Sequence, residues 1–129
     1  MKIIIVEDEK SIRSGLARML PKLDPEYEVA GAAKDGQEGY QLISGENPDL
    51  VIMDIEMPEM DGLTMLEKLR ENGFQGKAIV LTAYSDFSYA KRAIELGIEN
   101  YLLKPIKIEE LKKTLQGVSA SLKQAAGTR

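Results

Sequence analysis

The chain alternates five short apolar segments with five longer stretches whose apolar residues recur at helical spacing. The short segments occupy residues 2–6, 28–33, 50–53, 78–81 and 101–103. Continuous apolar runs are typical of strands that are buried on both faces. Strands that alternate with helices favour βαβ units, which place a parallel sheet between two layers of helices. The pattern therefore predicts an α/β fold.

The stretches between these segments carry the apolar stripes expected of helices. The first stripe consists of Ile12, Leu16, Met19 and Leu20. Pro21 follows it directly and is expected to help terminate this helix. The second helix is expected to begin at Asp35, because Glu38 three residues later completes the pattern of a capping box. Asn72 and Gly73 predict the end of the third helix. The last stripe consists of Ile108, Leu111, Leu115, Val118 and Leu122.

Composition excludes several classes of function. The 129 residues suit one domain with a substantial core. They include no cysteine and no histidine, which excludes disulfides, thiolate metal sites, Ser-His-Asp catalysis and a phosphohistidine on this chain. A net charge of −4 argues against direct nucleic-acid binding. The opening MKIIIVEDEK has too short an apolar run for a signal peptide or a membrane span, so we expect a cytoplasmic location.

Polar and charged residues follow four of the five predicted strands. Glu7 and Asp8 follow the first strand, Asp54 the third, Thr82 the fourth and Lys104 the fifth. In sheets of this type ligands bind beyond the carboxyl ends of the strands, where the strand order reverses. We therefore expect these five side chains to meet at one edge of the sheet.

The chemistry of these side chains suits a phosphoryl group. Clustered carboxylates disfavour one another's ionisation. Mg²⁺, or Mn²⁺ in its place, would relieve that conflict, and its open coordination positions accept phosphoryl oxygens. Lys104 would supply a second positive charge, and Thr82 a directed hydrogen bond. Asp54 is then the central nucleophile, and its attack on phosphorus would form an aspartyl-phosphate.

Four segments together resemble the receiver domains of two-component response regulators. They are IIIVEDE, VIMDIEMPEMDG, LTAYSD and YLLKPI, in this order and with appropriate spacing over nearly the whole chain. The resemblance implies a flavodoxin-like, doubly wound (βα)5 sandwich with a five-stranded parallel sheet in the order 2-1-3-4-5. It also implies that residues 1–122 form the receiver domain. Residues 123–129 would be a frayed tail, or the start of a linker to an effector domain.

The resemblance assigns a role to each acidic residue of the site. Asp54 matches the aspartate that is phosphorylated, and Asp8 matches a direct metal ligand. Glu7 matches an acid that acts on the metal through water, although aspartate is commoner at this position. The backbone carbonyl of Glu56 matches a further metal ligand.

The resemblance also assigns the residues that respond to the phosphoryl group. Thr82 and Lys104 match the pair that contacts its oxygens, and Tyr101 matches an aromatic residue that changes rotamer on activation. Pro105 matches a proline whose preceding peptide bond is often cis. Lys107 departs from the family, because many receivers have an aspartate cap for the last helix at this position.

By resemblance, the chain is a phosphorylation-dependent signalling switch and not an enzyme beyond its own phosphorylation and dephosphorylation. The donor would be the phosphohistidine of a sensor histidine kinase. The face of the fourth helix, fifth strand and fifth helix would change shape and control an effector domain, with dimerisation on phosphorylation as one outcome. The stretch DFSYAKRAIELGIENYLLKPI resembles receivers attached to AraC-type DNA-binding domains, so the output is expected to be transcriptional.

Each site residue also has an interpretation that involves no ligand. Asp8 and Asp61 are of the type that caps helices. Lys104 can be an ordinary solvated lysine, Thr82 a strand-end hydroxyl and Tyr101 a core residue. For any one residue alone this interpretation is favoured, since short motifs give false matches. Their joint placement at matching strand ends favours the phosphoryl site.

Three other functions suit the same architecture. A stand-alone receiver that docks a partner protein is the alternative within the family. A phosphohydrolase of the haloacid-dehalogenase type also uses a strand-end aspartate and Mg²⁺, but it needs a second aspartate two residues later, where this chain has Glu56. A flavin or nucleotide binder needs a phosphate-binding loop after the first strand, where the acids among residues 7–10 would repel an anion.

Overall fold

Five parallel strands alternate with five helices in the computed structural model, which describes residues 1–83 and 87–127. The strands are β1 (Lys2–Val6), β2 (Glu28–Ala33), β3 (Leu50–Asp54), β4 (Lys77–Thr82) and β5 (Asn100–Leu103). The helices are α1 (Lys10–Leu23), α2 (Gly36–Glu46), α3 (Gly62–Glu71), α4 (Phe87–Glu95) and α5 (Ile108–Gly127).

The sheet has the strand order β2-β1-β3-β4-β5, which confirms the predicted flavodoxin-like topology. The strand order reverses between β1 and β3, which pair directly along their length. Val6 faces Met53 in this pairing, so Glu7 and Asp54 are the next residues at the carboxyl end. The topology thus brings the ends of β1 and β3 together at the point where such sheets bind ligands.

The core consists of two apolar layers, one on each face of the sheet. Alternate residues of the central strands belong to different layers: Ile4 lies in the layer that includes residues of α2 and α3, and Ile5 in the layer that includes residues of α1 and α5. All four apolar residues of β1 from Ile3 to Val6 are fully buried, as are the four from Leu50 to Met53. Burial on both faces explains why these strands are continuous apolar runs in the sequence.

Three local features differ from the sequence-based expectations. Helix α1 continues through Pro21 to Leu23, so the proline lies in its last turn instead of ending it. The N-cap of α1 is Glu9, without a side-chain cap, so Asp8 is not the cap residue. Helix α5 extends to Gly127, so residues 123–127 of the predicted tail are helical, while residues 128–129 lie outside the described part of the chain.

Two predicted helix caps are confirmed. The carboxylate of Asp35 accepts a hydrogen bond of 2.8 Å from the Glu38 amide at the start of α2. Asp61 accepts one of 2.7 Å from the Thr64 amide at the start of α3. Each carboxylate satisfies an amide that has no partner within its helix.

Candidate functional site

Three carboxylates meet at the carboxyl ends of β1 and β3. Glu7, Asp8 and Asp54 each offer an oxygen, and these three oxygens lie within 4.8 Å of one another. Glu7 is fully buried and Asp54 is 2% exposed, whereas Asp8 is exposed. Arg13 of α1 donates to the backbone oxygens of Glu7 (2.7 Å) and Asp8 (3.4 Å), which holds the loop that carries them. The structure therefore brings the predicted acids together.

Lys104 places one positive charge between the two buried acids. Its backbone amide donates to the Thr82 carbonyl over 2.7 Å, which fixes the residue at the end of β5. Its ammonium nitrogen lies 3.1 Å from Oδ2 of Asp54 and 3.1 Å from both carboxylate oxygens of Glu7. Among the described residues, Oε2 of Glu7 is nevertheless a buried oxygen that accepts no hydrogen bond. One lysine thus compensates two buried carboxylates incompletely.

The burial and close approach of these acids raise their pKa values. Burial, together with the charge of Glu7, raises the pKa of Asp54 to about 8, although Lys104 opposes the shift. Burial also raises the pKa of Glu7. Burial lowers the pKa of Lys104, but its hydrogen bonds to Glu7 and Asp54 outweigh that effect and leave the pKa raised. The cluster therefore favours an additional positive charge.

Thr82 is fully buried at the end of β4. Its hydroxyl donates a hydrogen bond to the side-chain carboxylate of Glu56. The backbone amide of Glu56 in turn donates to Oδ1 of Asp54 over 3.3 Å. From the sequence, the backbone carbonyl of Glu56 was expected to bind the metal and the residue was expected to border the path of a hydrolytic water, but the hydrogen bond from Thr82 to its side chain was not predicted. The sequence offered one signal for this contact. Glu56 is an acid two residues after Asp54, and β4, which ends in Thr82, is the strand that pairs with β3.

The loop after Asp54 returns tightly against the strand that it leaves. The Gly62 amide donates to the Ile55 carbonyl over 2.9 Å. A Cβ atom at Gly62 would lie 2.1 Å from the backbone oxygen of Asp54, which no side chain permits. Glycine is therefore required where α3 begins, and its close approach fixes the backbone of the central aspartate.

A family model described as the response regulator receiver domain matches residues 3–116. The chain belongs to the response regulator receiver domain family. Receiver domains take part in two-component signalling and are generally not metabolic enzymes. The fold and the placement of the strand-end residues agree with this membership.

Individual relatives support the same assignment. The receiver is 34% identical over 114 residues to the probable C4-dicarboxylate response regulator DctR of Priestia megaterium, a match that covers 88% of this chain and 50% of that relative. It is also similar to the solved receiver domain of AraT, a response regulator from Geobacillus stearothermophilus, with 35% identity, a TM-score of 0.86 and 97% of each chain covered. A LuxR-family DNA-binding response regulator from Staphylococcus aureus gives 32% identity and a TM-score of 0.84, with 91% of this chain and 97% of that chain covered.

The acidic cluster of the receiver suits a divalent metal ion. Its donors are hard carboxylate oxygens, which Mg²⁺ and Mn²⁺ prefer. The buried oxygen of Glu7 without a hydrogen bond is the kind of group that a metal-bound water would satisfy. Receiver domains generally bind Mg²⁺ in an acidic pocket, and the residues present here fit that ion.

The remaining predicted residues lie on the side of β4 and β5. Tyr101 is half-buried on β5, where it packs against the core layer that contains Val80. The Lys104–Pro105 peptide bond is cis, as the resemblance implied. Tyr84, which was expected from the sequence to border the path of a hydrolytic water, lies outside the described residues.

No helix within residues 1–83 and 87–127 is both long enough and apolar enough to span a bilayer.

Proposed function

We propose that Asp54 is the phosphoryl acceptor of this receiver and that a phosphohistidine on a sensor histidine kinase is the donor. One observation carries the proposal: Asp54 ends a buried central strand beside Lys104, Glu7 and Asp8. An oxygen of Asp54 would attack phosphorus while the phosphorus–nitrogen bond breaks, and the imidazole would leave with a proton. Later attack by water would release inorganic phosphate and restore the carboxylate.

Mg²⁺ or Mn²⁺ would be held directly by Asp8, Asp54 and the backbone carbonyl of Glu56, and through water by Glu7. Bound there, the ion supplies positive charge against the acids and the incoming phosphoryl oxygens. The raised pKa of Asp54 supports this role, because the ionised nucleophile needs more positive charge than Lys104 provides. Catalysis by the receiver would be limited to its own phosphorylation and dephosphorylation.

Lys104 and Thr82 would recognise the transferred group. Lys104 already lies 3.1 Å from Oδ2 of Asp54, so a small movement of its ammonium would reach a phosphoryl oxygen. The Thr82 hydroxyl would donate to a second oxygen, and Tyr101 would rotate toward the space that this movement vacates. The loop predicted to move with Thr82 includes residues 84–86, which lie outside the described part of the chain.

The output surface would be the face formed by α4, β5 and α5. Among the side chains that the structure describes, the large apolar ones that are exposed lie one on each of these elements: Ile94 is 74% exposed, Leu103 47% and Ile108 52%. That all three lie on these elements, and none on the other described elements, supports a protein partner at this face. The partner would be a C-terminal effector domain of AraC type with transcriptional output, or a second phosphorylated copy of the receiver. The alternative is a stand-alone receiver whose partner is a separate protein. We place this activity in the cytoplasm.

The phosphoryl group would act by shifting a population between two packings of the same fold. It adds about −1.5 to −2 charges and new acceptor oxygens. A reversal from 1:99 to 99:1 needs about 5.5 kcal/mol of differential stabilisation. Charge-assisted hydrogen bonds from Lys104 and Thr82 would supply a good part of that.

The direct test is incubation with acetyl phosphate, with and without Mg²⁺, followed by intact-mass measurement. We expect one phosphoryl addition that requires Mg²⁺ and is absent from Asp54→Asn. The control variant Asp49→Asn alters an aspartate at the opposite end of β3 and should be phosphorylated like the wild type. Addition that persists in Asp54→Asn would refute the assignment. Steady release of phosphate from a phosphomonoester would favour the phosphohydrolase instead.

A further inference from the structure

The hydrogen bond between Thr82 and Glu56 joins the proposed switch residue to the loop after the phosphoryl acceptor. The Thr82 hydroxyl is buried and donates to the Glu56 carboxylate. A hydroxyl group carries a single proton and can donate to one strong acceptor at a time. In the proposed phosphorylated state, that same proton is required by a phosphoryl oxygen.

We propose that Glu56 is a positioning residue that holds the Thr82 hydroxyl in the unphosphorylated receiver and competes with the phosphoryl group for its proton. This inference rests on the proposed function. It gives the Glu56 side chain a role distinct from that of its backbone carbonyl. Phosphorylation would then exchange one anionic acceptor of Thr82 for another, and Glu56 would set how far the equilibrium moves.

The chemistry of the two acceptors determines the direction of the effect. A carboxylate accepts a hydrogen bond more strongly than a neutral group does, so Glu56 stabilises the unphosphorylated arrangement. Its carboxylate lies against the hydroxyl of Thr82, the residue proposed to contact the phosphoryl group, so its charge also lies close to that group. After the exchange, the Glu56 carboxylate would no longer accept a hydrogen bond from Thr82, and it would lie near the negative charge of the phosphoryl group. Both effects oppose the phosphorylated state.

The test measures binding of beryllofluoride, a mimic of the phosphoryl group on a carboxylate, at a fixed concentration of Mg²⁺. Glu56→Ala removes the acceptor and should bind the mimic about ten-fold more tightly than the wild type, as expected for a lost hydrogen bond to a charged group. Glu56→Gln keeps a neutral acceptor and should lie between the two. Glu59→Gln neutralises an exposed acid of the same loop and should bind like the wild type.

A second measurement separates this role from ordinary packing. Without the mimic, Glu56→Ala should have a lower melting temperature than the wild type, because it loses a hydrogen bond of the resting state. A residue with a merely structural role would weaken both folding and binding when removed. Lower stability combined with tighter binding of the mimic supports competition.

A double-mutant cycle isolates the contact itself. In a Thr82→Ala background, Glu56→Ala should tighten mimic binding clearly less than in the wild-type background, because only the effect of its charge remains. Equal tightening in both backgrounds would assign the effect to charge alone and overturn the inference. Unchanged or weaker binding by Glu56→Ala would also overturn it. Failure of the wild type to bind the mimic would overturn the proposed function as well, so the two failures are distinguishable.

Discussion

The ammonium of Lys104 lies 3.1 Å from Oδ2 of Asp54, although Asp54 ends β3, Lys104 follows β5, and β4 lies between these strands. The side chain of Lys104 is only 13% exposed, so water screens this charge weakly. The same ammonium also faces the fully buried Glu7. The resting receiver therefore depends on one lysine to hold two acids at the carboxyl edge of its sheet.

Replacement of Lys104 by methionine should destabilise the metal-free receiver by about 3 kcal/mol, because it leaves two buried acids without their cation. Mg²⁺ should reduce this loss, since the ion compensates the same charges. Urea unfolding with EDTA and with saturating Mg²⁺ measures both values. Lys107→Met, at an exposed position, is the control and should change stability little. A loss of the same size with and without Mg²⁺ would contradict shared compensation.

The metal-free receiver should become less stable as the pH rises. The pKa of Asp54 is about 8 in the folded state, and that of an aspartate in an unfolded chain is about 3.9. Between these values the folded state binds more protons, so its free energy of unfolding falls with increasing pH. The chain has no histidine, which would otherwise titrate in this range.

Urea midpoints in EDTA, from about pH 5 to about pH 8, measure this dependence. Asp54→Asn should flatten the decline, and Mg²⁺ should oppose it because metal binding favours the ionised acids. Stability that rises with pH in the wild type would show that the buried acids are already compensated without a metal.

Gly62→Ala should distort the acceptor site. The added methyl group would lie 2.1 Å from the backbone oxygen of Asp54, so the loop or the strand end must move. We expect a loss of about 3 kcal/mol in the free energy of unfolding, together with weaker Mg²⁺ binding. Gly45→Ala is a matched control in α2, where the new Cβ meets no atom within 4 Å. It should be neutral or slightly stabilising. Similar behaviour of the two variants would contradict the steric explanation.

Arg92→Ala should loosen α4 with little effect on global stability. The Arg92 guanidinium donates to Thr64 over 2.8 Å and lies 3.4 Å from Asp61 and 3.5 Å from Glu67, so it joins α4 to α3. These contacts are partly exposed, and we expect a loss of less than about 1 kcal/mol. Amide hydrogen exchange in residues 87–96 should accelerate relative to the wild type. Lys91→Ala, at an exposed neighbouring position, should leave the exchange rate unchanged. Equal exchange rates in the two variants would show that the contacts of Arg92 do not hold α4 in place.

The sequence predicts the features of this receiver that depend on local pattern. Continuous apolar runs mark the strands, and the residues after those runs identify Glu7, Asp54 and Lys104 as neighbours at one edge. Pro21 misled the prediction of α1 because a proline can be accommodated in a last helical turn when the surrounding packing maintains it. The Thr82–Glu56 hydrogen bond depends on the register of β3 against β4 and on side-chain orientation, which spacing along the chain does not encode.

The central claim is that the three carboxylates share a divalent ion, which leaves Asp54 able to accept a phosphoryl group. Titration calorimetry with Mg²⁺, repeated with Mn²⁺, tests it most directly. We expect one site in the wild type, and binding at least about ten-fold weaker in Asp8→Asn. Glu9→Gln, which neutralises an adjacent acid outside the cluster, should bind like the wild type. Absence of binding by the wild type, or equal binding by Asp8→Asn, would contradict the claim.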